Sequence, residues 1–99
     1  MYKNLLEETN KCLEEHGLSW DEVEWIKVHD MEISIDNFKE VAAHTNYDSG
    51  FGHPYIDQSL QIVGTRWIMI RSEYDGSEWW EVVYTTRPWD RGTVDSLEW

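Results

Sequence analysis

Alternating apolar and polar positions fill the second half of the chain and predict β-strands there. Two such runs occupy residues 66–85 on either side of Asp75-Gly76, a dipeptide typical of tight hairpin turns. A shorter run at 59–63 precedes them, separated by the turn residues Gly64-Thr65. The pattern therefore predicts a three-stranded antiparallel meander, which Pro88 ends because proline cannot donate a ladder hydrogen bond.

Two registers are open to the hairpin. A two-residue turn would set Glu73 directly opposite Glu78, and like charges in that position are unfavourable. A three-residue loop with a glycine bulge would pair Glu73 with Ser77 and lay Ile70 against Trp80 in a coherent apolar face. We predict the second register. The choice matters because a shift of one residue exchanges the two faces of a strand.

The N-terminal region follows a helical period. Residues 2–16 place one apolar stripe at three- and four-residue spacing and acidic side chains on the other side, and Gly17 is the expected stop. Cys12 belongs to the stripe, so we expect a buried structural thiol and not a nucleophile.

The next segment carries conflicting signals. Ser19 and Glu22 form a capping box, which favours a helix start, but alternation of β-branched and aromatic residues follows. We predict a turn at 19–21 and a strand over about 22–29, with the alternation continuing through a bend to Ile35.

A short helix and a long loop complete the middle of the chain. Residues 36–44 are predicted to be helical with Asp36 as the N-cap. The loop 45–58 is rich in turn residues, yet its aromatic content indicates a packed functional loop.

These elements define the predicted fold class. The order α-β-α-β-β-β suits an α+β domain in which two helices cover one face of an antiparallel sheet of about four strands. With 99 residues, the chain is expected to form one domain over 1–88, followed by a C-terminal tail at 89–99.

Charge narrows the range of partners. The net charge is −12, and residues 1–34 hold nine acidic and three basic side chains, hence −6 of it. Such a surface repels nucleic acid and membranes and attracts basic proteins, although solubility alone is the simpler explanation. A single cysteine, no apolar run of membrane-spanning length and no signal peptide lead us to expect a cytoplasmic protein.

Motifs for catalysis or cofactor binding are not found. The histidines and aspartates His29, Asp30, His44, His53 and Asp57 do not follow the spacing of an established metal site. The glycines around Phe51 lack the lysine of a P-loop, and Ser49 near His53 has no nucleophile-elbow motif. We therefore predict no catalytic residues, no metal and no cofactor.

Two phrases of the sequence resemble a recurring set of small phage and prophage proteins of unassigned function. They are N-Y-D-S-G-F-G at 46–52 and E-Y-D-G-S-E-W-W-E at 73–81, and the likeness covers about residues 22–88. Trp67-Ile68 stands where that pattern has two tryptophans. The resemblance implies a phage setting within a host cell and no catalytic residues. In that setting small acidic proteins act as inhibitors of host defence, as anti-CRISPR proteins and DNA mimics do.

The leading hypothesis is a non-enzymatic interaction protein, an acidic inhibitor or DNA mimic that binds a basic, nucleic-acid-handling host protein such as a nuclease or defence complex. Because the chain has seven tryptophans, we expect some of them to be exposed and to anchor a protein–protein contact. The predicted contact residues are Glu7, Glu8, Glu14, Glu15, Asp21, Glu22, Glu24, Tyr55 and Trp79.

Two alternatives stay open. One is a small-ligand or peptide-binding module in which the loop 46–57 lines a pocket with Tyr47, Phe51, His53 and Tyr55. The other is self-association through the face of the sheet.

Overall fold

Two helices and two antiparallel sheets make up the computed structural model, which describes residues 2–48, 52–85 and 93–98. The elements in chain order are β1 (Tyr2–Asn4), α1 (Leu5–Glu15), a 3₁₀ turn (Trp20–Glu22), β2 (Val23–Val28), β3 (Met31–Ile33), α2 (Ile35–Ala43), β4 (Asn46–Asp48), β5 (Gln61–Gly64), β6 (Trp67–Tyr74) and β7 (Ser77–Tyr84).

The main sheet has five strands in the order β3-β2-β5-β6-β7, all antiparallel to their neighbours. The predicted α+β class and the C-terminal meander β5–β7 are confirmed. The sheet has one strand more than predicted, because the alternation after β2 folds back as β3. His29 in the connecting turn has φ of 53°, a left-handed conformation that closes this short hairpin.

A second, two-stranded sheet joins β1 to β4 and was not predicted. The helix expected to begin at residue 2 begins at Leu5 instead, because the Asn4 side chain accepts a hydrogen bond from the Glu7 amide at 3.0 Å and caps it. The residues before the cap are free to pair with β4, which occupies part of the predicted loop. Three-residue strands of this kind carry too short a pattern to be recognised in sequence.

Capping residues also set the other two helical starts. Ser34, not the predicted Asp36, caps α2 by accepting from the Asn37 amide at 3.0 Å. Asp36 lies in the first turn, where a carboxylate interacts favourably with the helix dipole. The Ser19–Glu22 capping box is present and starts only the 3₁₀ turn, so the predicted turn and following strand are confirmed. Neither described helix combines the length and apolarity needed to cross a bilayer.

The β6–β7 hairpin closes through a two-residue turn, so the predicted three-residue loop is wrong. Asp75 and Gly76 have φ of 51° and 85°, as a type I′ turn requires, and Glu73 lies directly opposite Glu78. Repulsion between the two carboxylates was the reason to expect otherwise. It does not operate because Glu78 is buried against a guanidinium group while Glu73 is exposed to water.

This register decides which residues face the helices. Arg71, not Ile70, lies opposite Trp80, and both Arg71 and Trp80 are buried. Ile70 pairs with Glu81 on the outer face. The helix-facing side of the hairpin therefore carries a buried cation and a buried anion, Arg71 and Glu78, within an otherwise apolar layer.

The core lies between the helices and the sheet. It is formed by Leu5, Leu13, Ile26, Phe38, Ala42, Tyr47, Ile56, Leu60, Ile62, Trp67, Met69 and Trp80. Gly64 is required by this packing, because a Cβ there would lie 2.1 Å from Cε2 of Trp67.

The predicted tail, 89–99, lies partly outside the described residues. Its described part, 93–98, forms no helix or strand. The predicted domain boundary at 88 also falls outside the described ranges, and the predicted extent of the domain stays a prediction.

Candidate functional site

Three of the seven predicted acidic contact residues lie on the solvent side of α1. Leu5, Thr9 and Leu13 form the buried side of this helix. Glu7, Glu14 and Glu15 are exposed on the opposite side, and Lys11 lies among them with its ammonium 3.9 Å from Glu15. The spacing predicted from sequence thus gives one negatively charged helix surface. We call the exposed carboxylates of α1 and of the adjacent 3₁₀ turn the acidic face.

The 3₁₀ turn is joined to α1 by a hydrogen bond. Trp20 Nε1 donates to Asn10 Oδ1 at 2.8 Å, which brings Asp21 and Glu22 beside the helix. Glu22 also accepts from the Ser19 amide at 2.9 Å within the capping box. The structure therefore brings five predicted residues together on the acidic face, namely Glu7, Glu14, Glu15, Asp21 and Glu22. Glu24 is exposed at the start of β2.

Glu8 differs from the other predicted acidic residues because its carboxylate points into the protein. It accepts hydrogen bonds from Tyr47 Oη at 2.5 Å and from Arg71 Nη1 at 3.1 Å. Its side chain is 14% exposed. Glu8 is therefore a structural acceptor and contributes little to an outward-facing surface.

Arg71 is the centre of what we call the buried ion network, formed by Glu8, Tyr47, Arg71 and Glu78. The Arg71 side chain is fully buried and donates to Glu78 Oε1 at 3.0 Å and to Tyr47 Oη at 3.2 Å. Burial alone would lower the pKa of Arg71, but the Glu8 carboxylate and the hydrogen bonds raise it above its ordinary value. The guanidinium group also lies 4.9 Å from the Trp80 ring centroid, a cation–π contact.

Glu78 connects the network to the loop before β5. Its carboxylate accepts from the Tyr55 amide at 2.5 Å and from the Ile56 amide at 3.2 Å. A buried carboxylate with these donors and a cationic partner fixes the path of the loop. Sequence reasoning missed this role. One feature of the sequence could have indicated it. The two-residue turn places Glu73 opposite Glu78, and two opposed carboxylates are stable only with a cation nearby.

The side chains of the buried ion network stabilise the fold through hydrogen bonds. Burial, followed by the hydrogen bond to Glu8, raises the pKa of Tyr47, so its hydroxyl stays protonated and acts as a donor. Burial likewise raises the pKa of Cys12 to about 11, and the neighbouring Glu15 and Glu8 carboxylates add to this effect. Cys12 is half-buried and not buried as expected, and its raised pKa agrees with an unreactive thiol.

The two predicted aromatic anchors lie on opposite sides of the sheet. Tyr55 is 64% exposed and stacks on Tyr47, with ring centroids 6.0 Å apart. Trp79 is 39% exposed. Its neighbour Trp80 faces α1 and donates to Thr9 Oγ1 at 2.9 Å, and successive strand residues point to opposite faces. Trp79 therefore lies on the outer face of the sheet, away from the acidic face.

A largely apolar cavity opens between α2, the β2–β3 hairpin and the loop that Glu78 anchors. Its volume is about 360 Å³. The lining residues are Leu5, Val28, Met31, Ile33, Asn37, Phe38, Val41, Ala42, Thr45, Tyr55, Ile56, Asp57 and Leu60. We call this space the apolar cavity. Sequence analysis did not predict it, because its walls come from segments far apart in the chain.

A second concavity lies on the other side of Tyr55. It is lined by Tyr2, Asn46, Tyr47, Asp48, His53 and Tyr55 and has a volume of about 390 Å³. Three of the four residues predicted for a pocket in the loop 46–57 thus come together. The fourth, Phe51, lies outside the described residues.

Polar groups at the rim of the apolar cavity join two of its walls. His29 Nε2 lies 2.7 Å from Asp57 Oδ2, and Ser59 Oγ donates to Asp57 Oδ1 at 2.7 Å. The hydrogen bonds from the Ser59 hydroxyl and amide lower the pKa of Asp57, with a smaller contribution from His29. Among residues 2–48, 52–85 and 93–98, no group of three or more His, Cys, Asp or Glu side chains is placed to hold a metal ion.

Comparisons with known proteins place the chain in no group. No family model matches it, and neither the curated proteins nor the solved structures contain a match.

Proposed function

We propose that the protein is a non-enzymatic, phage-type interaction protein, an acidic inhibitor or DNA mimic whose acidic face binds a basic host protein that handles nucleic acid. The observation that carries the proposal is the convergence of five exposed carboxylates on α1 and the adjacent 3₁₀ turn. Negative charge gathered on one surface attracts a positively charged groove over several ångströms and accelerates association.

The positions of the other charges support this proposal. Lys39 lies over the Trp20 ring, with Nζ 4.6 Å from its centroid, and Arg71 is enclosed in the buried ion network. Arg71 is therefore neutralised inside the protein, whereas Lys39 keeps its charge beside the 3₁₀ turn of the acidic face. Lys11 lies within the acidic face, and its Nζ is 3.9 Å from Glu15 Oε1. Lys3 also lies near Glu7 and Lys11, so the five carboxylates of the acidic face outnumber the three nearby lysines Lys3, Lys11 and Lys39.

A capture experiment with charge-reversed variants tests the proposal. The wild-type protein is immobilised, incubated with bacterial lysate, and challenged with duplex DNA and with rising salt. We expect it to retain a nucleic-acid-binding protein that duplex DNA displaces, and retention to fall steeply as salt screens the surface charges. The double variant Glu14→Lys/Glu15→Lys should lose this protein. Lysine is tolerated in the last turn of a helix, so folding should be preserved.

A matched variant separates the acidic face from net charge. Glu73→Lys/Glu81→Lys changes the total charge by the same amount at exposed positions on β6 and β7. This variant should retain the captured protein. Equal loss in both double variants, or capture that duplex DNA does not affect, would contradict the proposal.

A second candidate function is a small-ligand or peptide-binding module at the loop 46–57. The observation in its favour is the concavity in which the stacked rings of Tyr47 and Tyr55 meet His53. A ligand bound there would stabilise the native state by mass action, so a thermal-shift screen against metabolites and peptides tests it. Replacement of His53 by alanine should abolish any stabilisation found.

A further inference from the structure

We propose that the apolar cavity is a binding site for a small apolar molecule that carries no negative charge. This inference is independent of the acidic face and of the function proposed for it. Four separate segments of the chain meet around one space, namely α1, the β2–β3 hairpin, α2 and the loop before β5. Four properties of this site define the ligand.

The floor of the cavity reaches the core. Phe38 and Ala42 of α2, Leu5 of α1, and Ile56 and Leu60 of the loop are all buried and all line it. A ligand in this space would therefore contact core side chains and not only the surface. Apolar area removed from water at such contacts is the main source of affinity for small ligands.

The mouth of the cavity is surrounded by exposed apolar side chains. Met31, Val41 and Tyr55 line it and are 59%, 58% and 64% exposed, although most large apolar side chains of the lining are covered. Each comes from a different segment: the β2–β3 hairpin, α2 and the loop. A bound molecule would cover all three, and the flexible methionine can adapt its shape to the ligand.

The size of the cavity limits the ligand. A volume of about 360 Å³ lies near the lower end of the range of about 300–1,000 Å³ that small-molecule sites occupy. This space suits a compact molecule of two or three rings, or a short alkyl chain. It is too small for a nucleotide cofactor with its phosphates and ribose.

The charge around the cavity sets the sign of the ligand. Among the described lining residues, Asp57 is the only one with an ionisable carboxylate or amine. Its hydrogen bonds with Ser59 keep it ionised at neutral pH, and no lysine or arginine lines the space to receive an anion. An anionic group would be desolvated beside a carboxylate, on a chain whose net charge is −12. A neutral ligand has no charge to desolvate, and a cationic group would face an opposite charge in Asp57.

A pair of fluorescent probes tests size and charge together. N-phenylnaphthylamine is neutral, and anilinonaphthalene sulfonate has the same three rings with a sulfonate added. Titration with the neutral probe should show saturable fluorescence enhancement. The sulfonate should bind at least about tenfold more weakly, equivalent to about 1.4 kcal/mol. No binding of the neutral probe, or tighter binding of the sulfonate, would overturn the proposal.

Two matched tryptophan variants locate the probe. Val41→Trp places a large ring at the mouth of the cavity, at a position exposed enough to accept it without disturbing the core. Val83→Trp makes the same change on the outer face of the sheet, where Val83 is 45% exposed. Val41→Trp should weaken the neutral probe about tenfold or more, which is about 1.4 kcal/mol, and Val83→Trp should leave its affinity unchanged. The reverse pattern, or no effect of Val41→Trp, would place the probe elsewhere and overturn the proposal.

A third variant tests the origin of the charge preference. Asp57→Asn removes the carboxylate and keeps the shape of the side chain. The affinity of the neutral probe should stay as it is, and the affinity of the sulfonate should rise, so the ratio between them should fall severalfold. An unchanged ratio would show that Asp57 does not select the ligand.

Discussion

The two ends of the layer between the helices and the sheet differ in polarity and in packing. At one end the buried ion network fills the space with charged groups that hold one another in place. At the other end the apolar cavity is left partly empty. Both ends lie on the same face of the sheet, and the loop before β5 joins them: Glu78 accepts from the Tyr55 and Ile56 amides, and the same two residues line the cavity.

The difference shows how rigidity and open space are combined in a small domain. A buried ion network is costly to desolvate and gains its value from definite geometry. Side chains that line an empty apolar space lose packing contacts, which destabilises the fold. Glu78 accepts hydrogen bonds from the backbone amides of Tyr55 and Ile56, so the network fixes the loop that forms one wall of the apolar cavity.

The strongest way to break this arrangement is to remove the anion that joins the two ends. Glu78→Leu leaves Arg71 with Glu8 as its remaining carboxylate partner and leaves two loop amides without their acceptor. Breaking a buried ion pair in this way should lower the free energy of unfolding by about 3–5 kcal/mol. Chemical denaturation monitored by tryptophan fluorescence would measure the loss.

Glu73→Leu is the matched control for this variant. Glu73 lies directly opposite Glu78 in the hairpin but is exposed. The same chemical change there should alter stability by no more than about 0.5 kcal/mol. Similar losses in the two variants would show that the hairpin, and not the buried network, determines the effect.

A pair of leucines compares packed and open parts of the core. Leu13 lies on the buried side of α1 and does not line the cavity, whereas Leu60 is also buried and lines it. Leu13→Ala should cost about 3–4 kcal/mol and Leu60→Ala about 2 kcal/mol, because Leu60 already borders empty space and loses fewer contacts. The two free energies of unfolding are the measurement. A larger loss at Leu60 would mean that the cavity is filled by packing in solution.

Thr9 offers a smaller test at the packed end. Its hydroxyl accepts from Trp80 Nε1 at 2.9 Å and donates to the Leu5 carbonyl at 2.7 Å. Thr9→Val keeps the shape and leaves the buried indole N–H without its acceptor, which should cost about 1–2 kcal/mol. Thr9→Ser retains the hydroxyl and should be less destabilising. If Thr9→Ser is less stable than Thr9→Val, packing of the threonine methyl group contributes more to stability than the hydrogen bond from Trp80.

The fold class could be predicted because it depends on local periodicity. The alternation in β5, β6 and β7 and the apolar stripe of α1 are long enough to be recognised, and both elements are present. The register of the hairpin was mispredicted because the weighing of Glu73 against Glu78 left out Arg71. In the observed register Arg71 and Glu78 are diagonal neighbours on one face of the hairpin and form an ion pair at 3.0 Å, which offsets the repulsion. The burial of this pair with Glu8 and Tyr47 depends on α1 and β4, and a local pattern does not show it.

The candidate site was predictable in one part only. The acidic face follows from helix spacing, so Glu7, Glu14 and Glu15 could be placed together from sequence. The Glu8 carboxylate faces inward because Tyr47 and Arg71, which are distant in the chain, donate hydrogen bonds to it. The apolar cavity lies between segments with no shared pattern. Its position depends on how α2 and the β2–β3 hairpin pack, which periodicity does not determine.

The smallest expected effect concerns the rim of the apolar cavity, where Asp57 links the loop to the β2–β3 turn. Hydrogen bonds with Ser59 lower its pKa in the folded state. The pKa of an unfolded aspartate is about 3.9. The stabilisation from Asp57 is therefore fully present above that pH and is lost as pH falls through the lower pKa of the folded state.

The free energy of unfolding of the wild type should therefore fall more steeply between neutral and acidic pH than that of Asp57→Asn. Ser59→Ala should show an intermediate slope, because it removes the hydroxyl donor and keeps the amide. Parallel stability curves for the three proteins would mean that the rim contact is not maintained in solution.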